Sequence, residues 1–168
     1  SSNLNIHLFQ SVCQQKKIDL IVQKATELGV NTITPISTSR SKIHATANKY
    51  DKKIDRLRNI SENACQQSQR NFVPIINSLI DITEIKTKPT ELSILLSPIA
   101  EKTLTTIMPE TNDINILIGP EGGLSKSEVD FLQEINFIPV KFGPRILRTE
   151  TAAIAIIASI NTIWGDCS

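Results

Sequence analysis

Two segments of the chain combine residues that turn sharply with residues that carry charge: ILIGPEGGLSKSE, starting at Ile116, and FGPRILRTETAA, starting at Phe142. In each, a Gly-Pro pair follows an apolar β-type run and precedes a helical pattern. Two tight turns are therefore expected at the same ends of two strands, which is where open α/β sheets bind ligands. Four of the chain's six glycines fall in this region, Gly119, Gly122, Gly123 and Gly143. Closely spaced glycines let backbone N–H and C=O groups approach a planar ligand such as adenine. Neither GK[ST] nor GxGxxG is present, so neither a P-loop nor a dinucleotide fingerprint is supported. A tight turn without a ligand is the competing reading of the first segment.

The second turn carries more chemistry. Arg145 and Arg148 flank apolar Ile146 and Leu147, and a guanidinium so placed must find an anion or project into solvent. Thr149 is expected as the N-cap of the last helix and Glu150 as its first-turn acid, so both have a structural explanation. In the first segment Ser125 and Glu128 have the spacing of a capping box.

Alternating strand and helix patterns lead up to these turns. A strand over 4–9, a helix over 16–28 closed by Gly29, and a strand over 31–35 make one βαβ unit, for which parallel pairing is expected. A polar loop over 38–44 carries Arg40 and Lys42. A helix over 48–69 follows, then a strand over 72–76, a weak helix over 81–91, a strand over 92–97, a short helix over 101–108 and a strand over 114–118. A helix continues from the capping box through Val129, Leu132 and Ile135. The last helix, 151–164, is apolar nearly all round, which calls for cover by protein on most faces and makes it a natural dimer contact. The pattern predicts one α/β domain over 1–168 with a mostly parallel sheet.

Composition narrows the classes further. A chain of 168 residues with 40% hydrophobic and 4% aromatic content can bury a full core made mainly of Ile, Leu, Val and Ala. No run approaches the ~20 apolar residues of a membrane span, and no signal-peptide pattern opens the chain, so a cytoplasmic protein is expected. Cys13, Cys65 and Cys167 are far apart with two histidines in the chain, which supports neither a disulfide framework nor a zinc site. The net charge of +1 hides an asymmetry: residues 1–70 hold eleven Lys or Arg against five Asp or Glu, and the remainder seven against twelve. Lys49, Lys52, Lys53 and Arg56 fall on one helical stripe, which reads either as a solvated face or as a phosphate contact.

Taken together, LIGPEGGLSKSE and FGPRILRTETAA resemble the signature of the SPOUT-class 16S rRNA (uracil-N3)-methyltransferases. IVQKATELGVNTITP, with Arg40-Ser41 beyond it, and NACQQSQRNFVP at 63–74 extend the match in the family's order from about Asn5 to Asp166. Gln66 stands where Glu is usual, and Phe142 where Leu commonly precedes Gly-Pro-Arg. The resemblance implies a deep C-terminal trefoil knot and a homodimer through the last helix. It implies S-adenosylmethionine held by three loops: Leu96, Ser97 and Pro98; Ile118, Gly119, Pro120, Glu121, Gly122 and Gly123; and Phe142, Gly143, Pro144, Ile146, Leu147, Arg148 and Thr149. Family members also carry an N-terminal PUA-like barrel that helps bind rRNA, and this chain is expected to be the catalytic domain without it. No metal is implied.

Methyl transfer to uracil N3 is an in-line displacement, and loss of the weakly acidic N3 proton places negative charge on O2, N3 and O4, so a cation or N–H donor aimed at those oxygens lowers the cost. Arg148 or Arg145 is expected in that role. Glu121 is expected to accept the proton or orient the base, against the simpler alternative that it bonds loop amides. A base paired in helical RNA hides N3, so the target must be unpaired or flipped out. Arg40, Lys42, Lys49, Lys52, Lys53, Arg56 and Arg70 are expected along the RNA path of the small ribosomal subunit. A ribose 2′-O-methyltransferase of rRNA or tRNA and a non-catalytic RNA-binding or ribosome-assembly module are the alternative functions.

Overall fold

The computed structural model describes residues 3–41 and 47–167. Among the described residues, seven strands, β1 (Asn5–Ser11), β2 (Thr32–Ser37), β3 (Ile75–Ile76), β4 (Ile80–Asp81), β5 (Leu92–Leu96), β6 (Asp113–Ile118) and β7 (Phe137–Val140), are interspersed with α1 (Gln15–Glu27), α2 (Ala47–Gln67), α3 (Lys126–Glu134) and α4 (Thr149–Trp164). The strands form one sheet in the order β3-β2-β1-β6-β5-β7, with β4 also paired to β2, and every pairing is parallel. The parallel α/β class expected from the sequence is what the chain forms.

Strand β6 shows why the sheet is covered on both faces. Ile114, Ile116 and Ile118 join a core with Ile6, Leu8 and Ile94 and with the inner faces of α1, α2 and α4. Leu117, one residue out of phase, joins Leu95, Ile36, Leu132 and Phe137 on the side of α3. The two-residue period of a strand divides one apolar run between two cores. Asn115, on this run, is buried but satisfied by Ser93 at 3.0 Å and Glu91 at 2.9 Å. Helix α1 packs on both α2 and α4. Left-handed residues follow three of the helices: Gly29 at φ 94°, Gln69 at φ 56° and Asn136 at φ 72°. Such residues close a helix by turning its last carbonyls toward backbone donors.

Four expectations need correction. The helix expected over 81–91 is a single 3-10 turn, Ile82–Glu84, held by an Asp81–Glu84 capping box; β-branched residues and Pro89 give it nothing to propagate into. The short helix over 101–108 is likewise one turn, Leu104–Thr106, where the Thr106 hydroxyl bonds the Thr103 carbonyl at 2.7 Å and competes with helical bonding. The strand over 72–76 pairs only at Ile75–Ile76. Helix α4 starts at Thr149, with Arg148 as its N-cap, so Thr149 is not the cap. No helix among the described residues is long and apolar enough to cross a membrane.

Candidate active site

Three loops leave the carboxyl ends of the neighbouring strands β6, β5 and β7 and enclose a cavity of about 290 Å³. That stands at the small end of ligand pockets, which run to about 300–1,000 Å³. After β5 the lining is Leu96, Ser97, Pro98 and Ile99. Strand β7 supports this loop directly, since the Ser97 N–H donates to the Val140 carbonyl at 2.9 Å. After β6 come Ile118, Gly119, Pro120, Glu121 and Gly123, and after β7 Phe142, Gly143, Arg145, Ile146 and Leu147. Thr149 and Ala152 of α4 close the wall.

The glycines have distinct uses. Gly123 at φ 74° and Gly143 at φ 70° adopt a backbone that L side chains rarely take. A Cβ on Gly119 would stand 3.2 Å from Leu124 Cγ, so its absence lets Leu124 reach over the cavity. Of the residues expected at the site, Gly122, Pro144 and Arg148 do not line the cavity; Gly122 instead faces Arg40, whose Nη1 donates to the Gly122 and Leu124 carbonyls at 3.4 and 3.5 Å. The sequence reading missed Leu95, Ile99, Leu124, Val129 and Ala152, all apolar. Their only signal was apolar character beside a turn, which core residues share.

Thr149 is buried, accepts the Gln10 side-chain amide at 2.9 Å and donates to the Gly119 carbonyl at 3.4 Å. Glu121 forms an ion pair with Lys17, whose Nζ is also 3.7 Å from Glu150 Oε2. This partner on α1 was not foreseen, since nothing in the spacing joins residues so far apart in sequence. The Ser125–Glu128 capping box forms as expected. Glu128 does more: it is 8% exposed and accepts from Ser39 N at 2.7 Å and Ser125 N at 2.8 Å. Burial opposes its charge, but the donors of Ser39 and Ser125 outweigh burial and hold the carboxyl below its ordinary value.

The basic residues divide. Lys49, Lys52 and Lys53 are exposed on α2, with Lys53 Nζ 5.3 Å from the Tyr50 ring centre. Arg56 pairs with Asp19 through two nitrogens, at 2.5 and 3.4 Å. Arg70 turns inward and donates to the Thr26 and Val30 carbonyls at 2.6 and 3.3 Å, closing the end of α1, and burial lowers its pKa. Lys42 lies outside the described residues. The start of α2 stands at the same sheet end as the cavity: Tyr50, Lys53 and Arg56 share a cleft with Cys13, and Cys13 feels the charges of Lys17, Glu150 and Glu121. Among the described residues no group of His, Cys, Asp or Glu is placed to hold a metal ion.

Residues 1–161 match the family model described as an RNA methyltransferase domain. The chain belongs to that family. Among curated relatives of this RNA methyltransferase domain, the ribosomal RNA small subunit methyltransferase E of Buchnera aphidicola (Schizaphis graminum) is 38% identical over 169 residues, 99% of this chain and 69% of that protein. The Bacillus subtilis protein of the same name is 28% identical, over 94% of this chain and 66% of its own length. Among solved structures, a ribosomal RNA small subunit methyltransferase E from Neisseria gonorrhoeae bound to S-adenosyl methionine superimposes with a TM-score of 0.94 at 35% identity, covering all of this chain and 70% of that one. An RNA 2′-O ribose methyltransferase shares the fold at a TM-score of 0.56 and 12% identity.

Proposed function

We propose that the chain transfers the methyl group of S-adenosylmethionine to N3 of a uridine in 16S ribosomal RNA. The observation that carries this reading is the cavity between the loops after β5, β6 and β7, built from residues that the family resemblance assigns to the methyl donor. The fold-wide likeness to a relative bound to S-adenosyl methionine supports it. The walls suit that ligand. Ile99, Leu124, Phe142 and Leu147 offer apolar surface for an adenine ring. When bound, the donor supplies an electrophilic methyl carbon.

The chain's own residues then have to hold the base in line and stabilise the charge that develops on it. Arg148 is exposed and takes no part in the cavity wall, which leaves its guanidinium to meet the uracil oxygens. Arg145 lines the cavity and is assigned to the donor's side. Glu121, already paired with Lys17, serves as an orienting group: an ion-paired carboxylate is a weaker base. The reading keeps the exposed Lys49, Lys52, Lys53 and Arg40 on the RNA path and removes Arg70, whose part-buried guanidinium closes the end of α1 through the Thr26 and Val30 carbonyls.

The same reading includes a C-terminal trefoil knot, a cytoplasmic setting and a homodimer. A knot is supported by the route of the chain: β7 lies beyond β5 at the sheet edge, yet α4 begins against Gln10 of β1 and Gly119 after β6. A dimer contact on α4 is supported by Ile163, 46% exposed on that apolar helix. The reading takes the chain as a catalytic domain whose relatives extend beyond the matched region.

The test is product identity. Small subunits lacking the modification are incubated with the chain and S-adenosylmethionine, and their RNA is digested for mass spectrometry. The expected product is 3-methyluridine. A 2′-O-methylated nucleoside would move the chain to ribose chemistry.

A further inference from the structure

We infer that Lys17 is a positioning residue of this site: its ammonium, on α1, joins the loop after β6 through Glu121 to the first turn of α4 through Glu150. The inference rests on the methyl-transfer reading. Three observations carry it. Lys17 sits in the first turn of α1, which holds no acidic residue there. A cation at that position opposes the helix dipole, so helix α1 gains nothing from it, and its partners lie elsewhere. Those partners are the Glu121 carboxylate and Glu150 Oε2, the latter at 3.7 Å. Finally, Glu150 Oε2 is buried and accepts no hydrogen bond, so the nearby ammonium supplies the compensating charge that a buried carboxylate needs.

The other titratable groups facing this cluster do not replace Lys17. Cys13 lies beside it, but burial pushes its thiol up to about 12, against the pull of Lys17, so it stays neutral. Arg148 is close enough to oppose the charge on Lys17, and Asp19 is engaged by Arg56. The bond to Glu121 raises the Lys17 pKa, which keeps the ammonium charged through the neutral range.

Glu121 and the helix turn carrying Thr149 and Glu150 form two walls of one cavity. One cation behind them therefore fixes their separation, and with it the width of the site. Removing the charge leaves Glu150 Oε2 uncompensated and breaks this tie between the two walls.

The test compares Lys17→Arg, Lys17→Met and Lys17→Met with Glu150→Gln by calorimetry, using S-adenosylhomocysteine as the probe. Lys17→Met is expected to weaken binding about tenfold, Lys17→Arg by less than about threefold, and addition of Glu150→Gln to recover about threefold, because it removes the uncompensated charge. Lys17→Met binding like the native chain, or a double variant no better than Lys17→Met, would overturn the inference. Should Lys17→Met not fold, Glu150→Gln in the native chain carries the test, with a loss of about threefold expected and no change overturning it. A native chain that binds no S-adenosylhomocysteine overturns the functional reading instead. The pairing is then read from a double-mutant cycle in Tm, where additive losses at Lys17 and Glu150 would overturn it.

Discussion

The side-chain amide of Gln10, at the end of β1, donates to the hydroxyl of Thr149 at 2.9 Å, and that hydroxyl faces the Gly119 carbonyl at 3.4 Å. One threonine thus ties the first residue of α4 to the carboxyl ends of β1 and β6. Gln10 is fully buried, and its Oε1 accepts no bond, so the amide already lacks one partner. Thr149→Val keeps the shape and removes the hydroxyl, leaving one amide hydrogen of Gln10 without its acceptor while the other still meets the Ser11 carbonyl at 3.0 Å. The expected cost is about 1–3 kcal/mol, which lowers Tm by roughly 2–4 °C per kcal/mol for a chain of this size. Thr149→Ser should stay close to the native Tm by calorimetry.

Glu128 joins the loop after β2 to the start of α3, through Ser39 N and Ser125 N. Its folded pKa is below the ordinary 4.5, so its contribution to stability is present above that value and is lost as pH falls through the folded pKa. Glu128→Gln should lower Tm at pH 7 and flatten the fall in Tm on acidification below about pH 5. A variant whose acid limb matches the native one would remove Glu128 from this account.

Much of this was legible in the sequence, and the reason lies in local signals. The capping box of Ser125 and Glu128, the glycine turns and the apolar runs of β1, β2, β5 and β6 each act over a few residues, and these formed close to where expected. Long-range pairing left no such trace. Lys17 reaches Glu121 because β1 and β6 are neighbours in the sheet, and Gln10 reaches Thr149 because α4, after β7 at the sheet edge, begins back against the ends of β1 and β6; nothing in the spacing encodes either approach. Thr149 shows how local reading misleads: threonine before an apolar helix is a good N-cap, but a buried amide across the sheet claims its hydroxyl. Arg70 is similar, since a cation near a glycine-closed helix end found free carbonyls rather than solvent.

Arg145 and Arg148 separate by position, since only Arg145 lines the cavity. Arg145→Ala is expected to weaken S-adenosylhomocysteine binding about tenfold. Arg148→Ala should leave that binding within about threefold and lower kcat by about a hundredfold or more, the size of losing a charge-stabilising group. Calorimetry and single-turnover transfer on the same preparations separate the two effects. The reverse pattern would exchange their roles.

Lys52 and Lys53 are exposed on α2, at the sheet end that carries the cavity. If they contact phosphates, replacing both with Gln should weaken binding to small-subunit RNA. The slope of log affinity against log salt should also become shallower by about 1.4–1.8, as expected for two contacts. An unchanged slope measured by filter binding would return this stripe to a solvated helix face.

The central claim is that the loops after β5, β6 and β7 hold the methyl donor. Hydrogen exchange of the chain with and without S-adenosylhomocysteine tests it most directly. Protection on binding is expected at backbone amides of 96–99, 118–124 and 142–149, the three segments that meet at the cavity, with little change along β3 and β4. Protection elsewhere in the chain, or no binding at millimolar ligand, would contradict it.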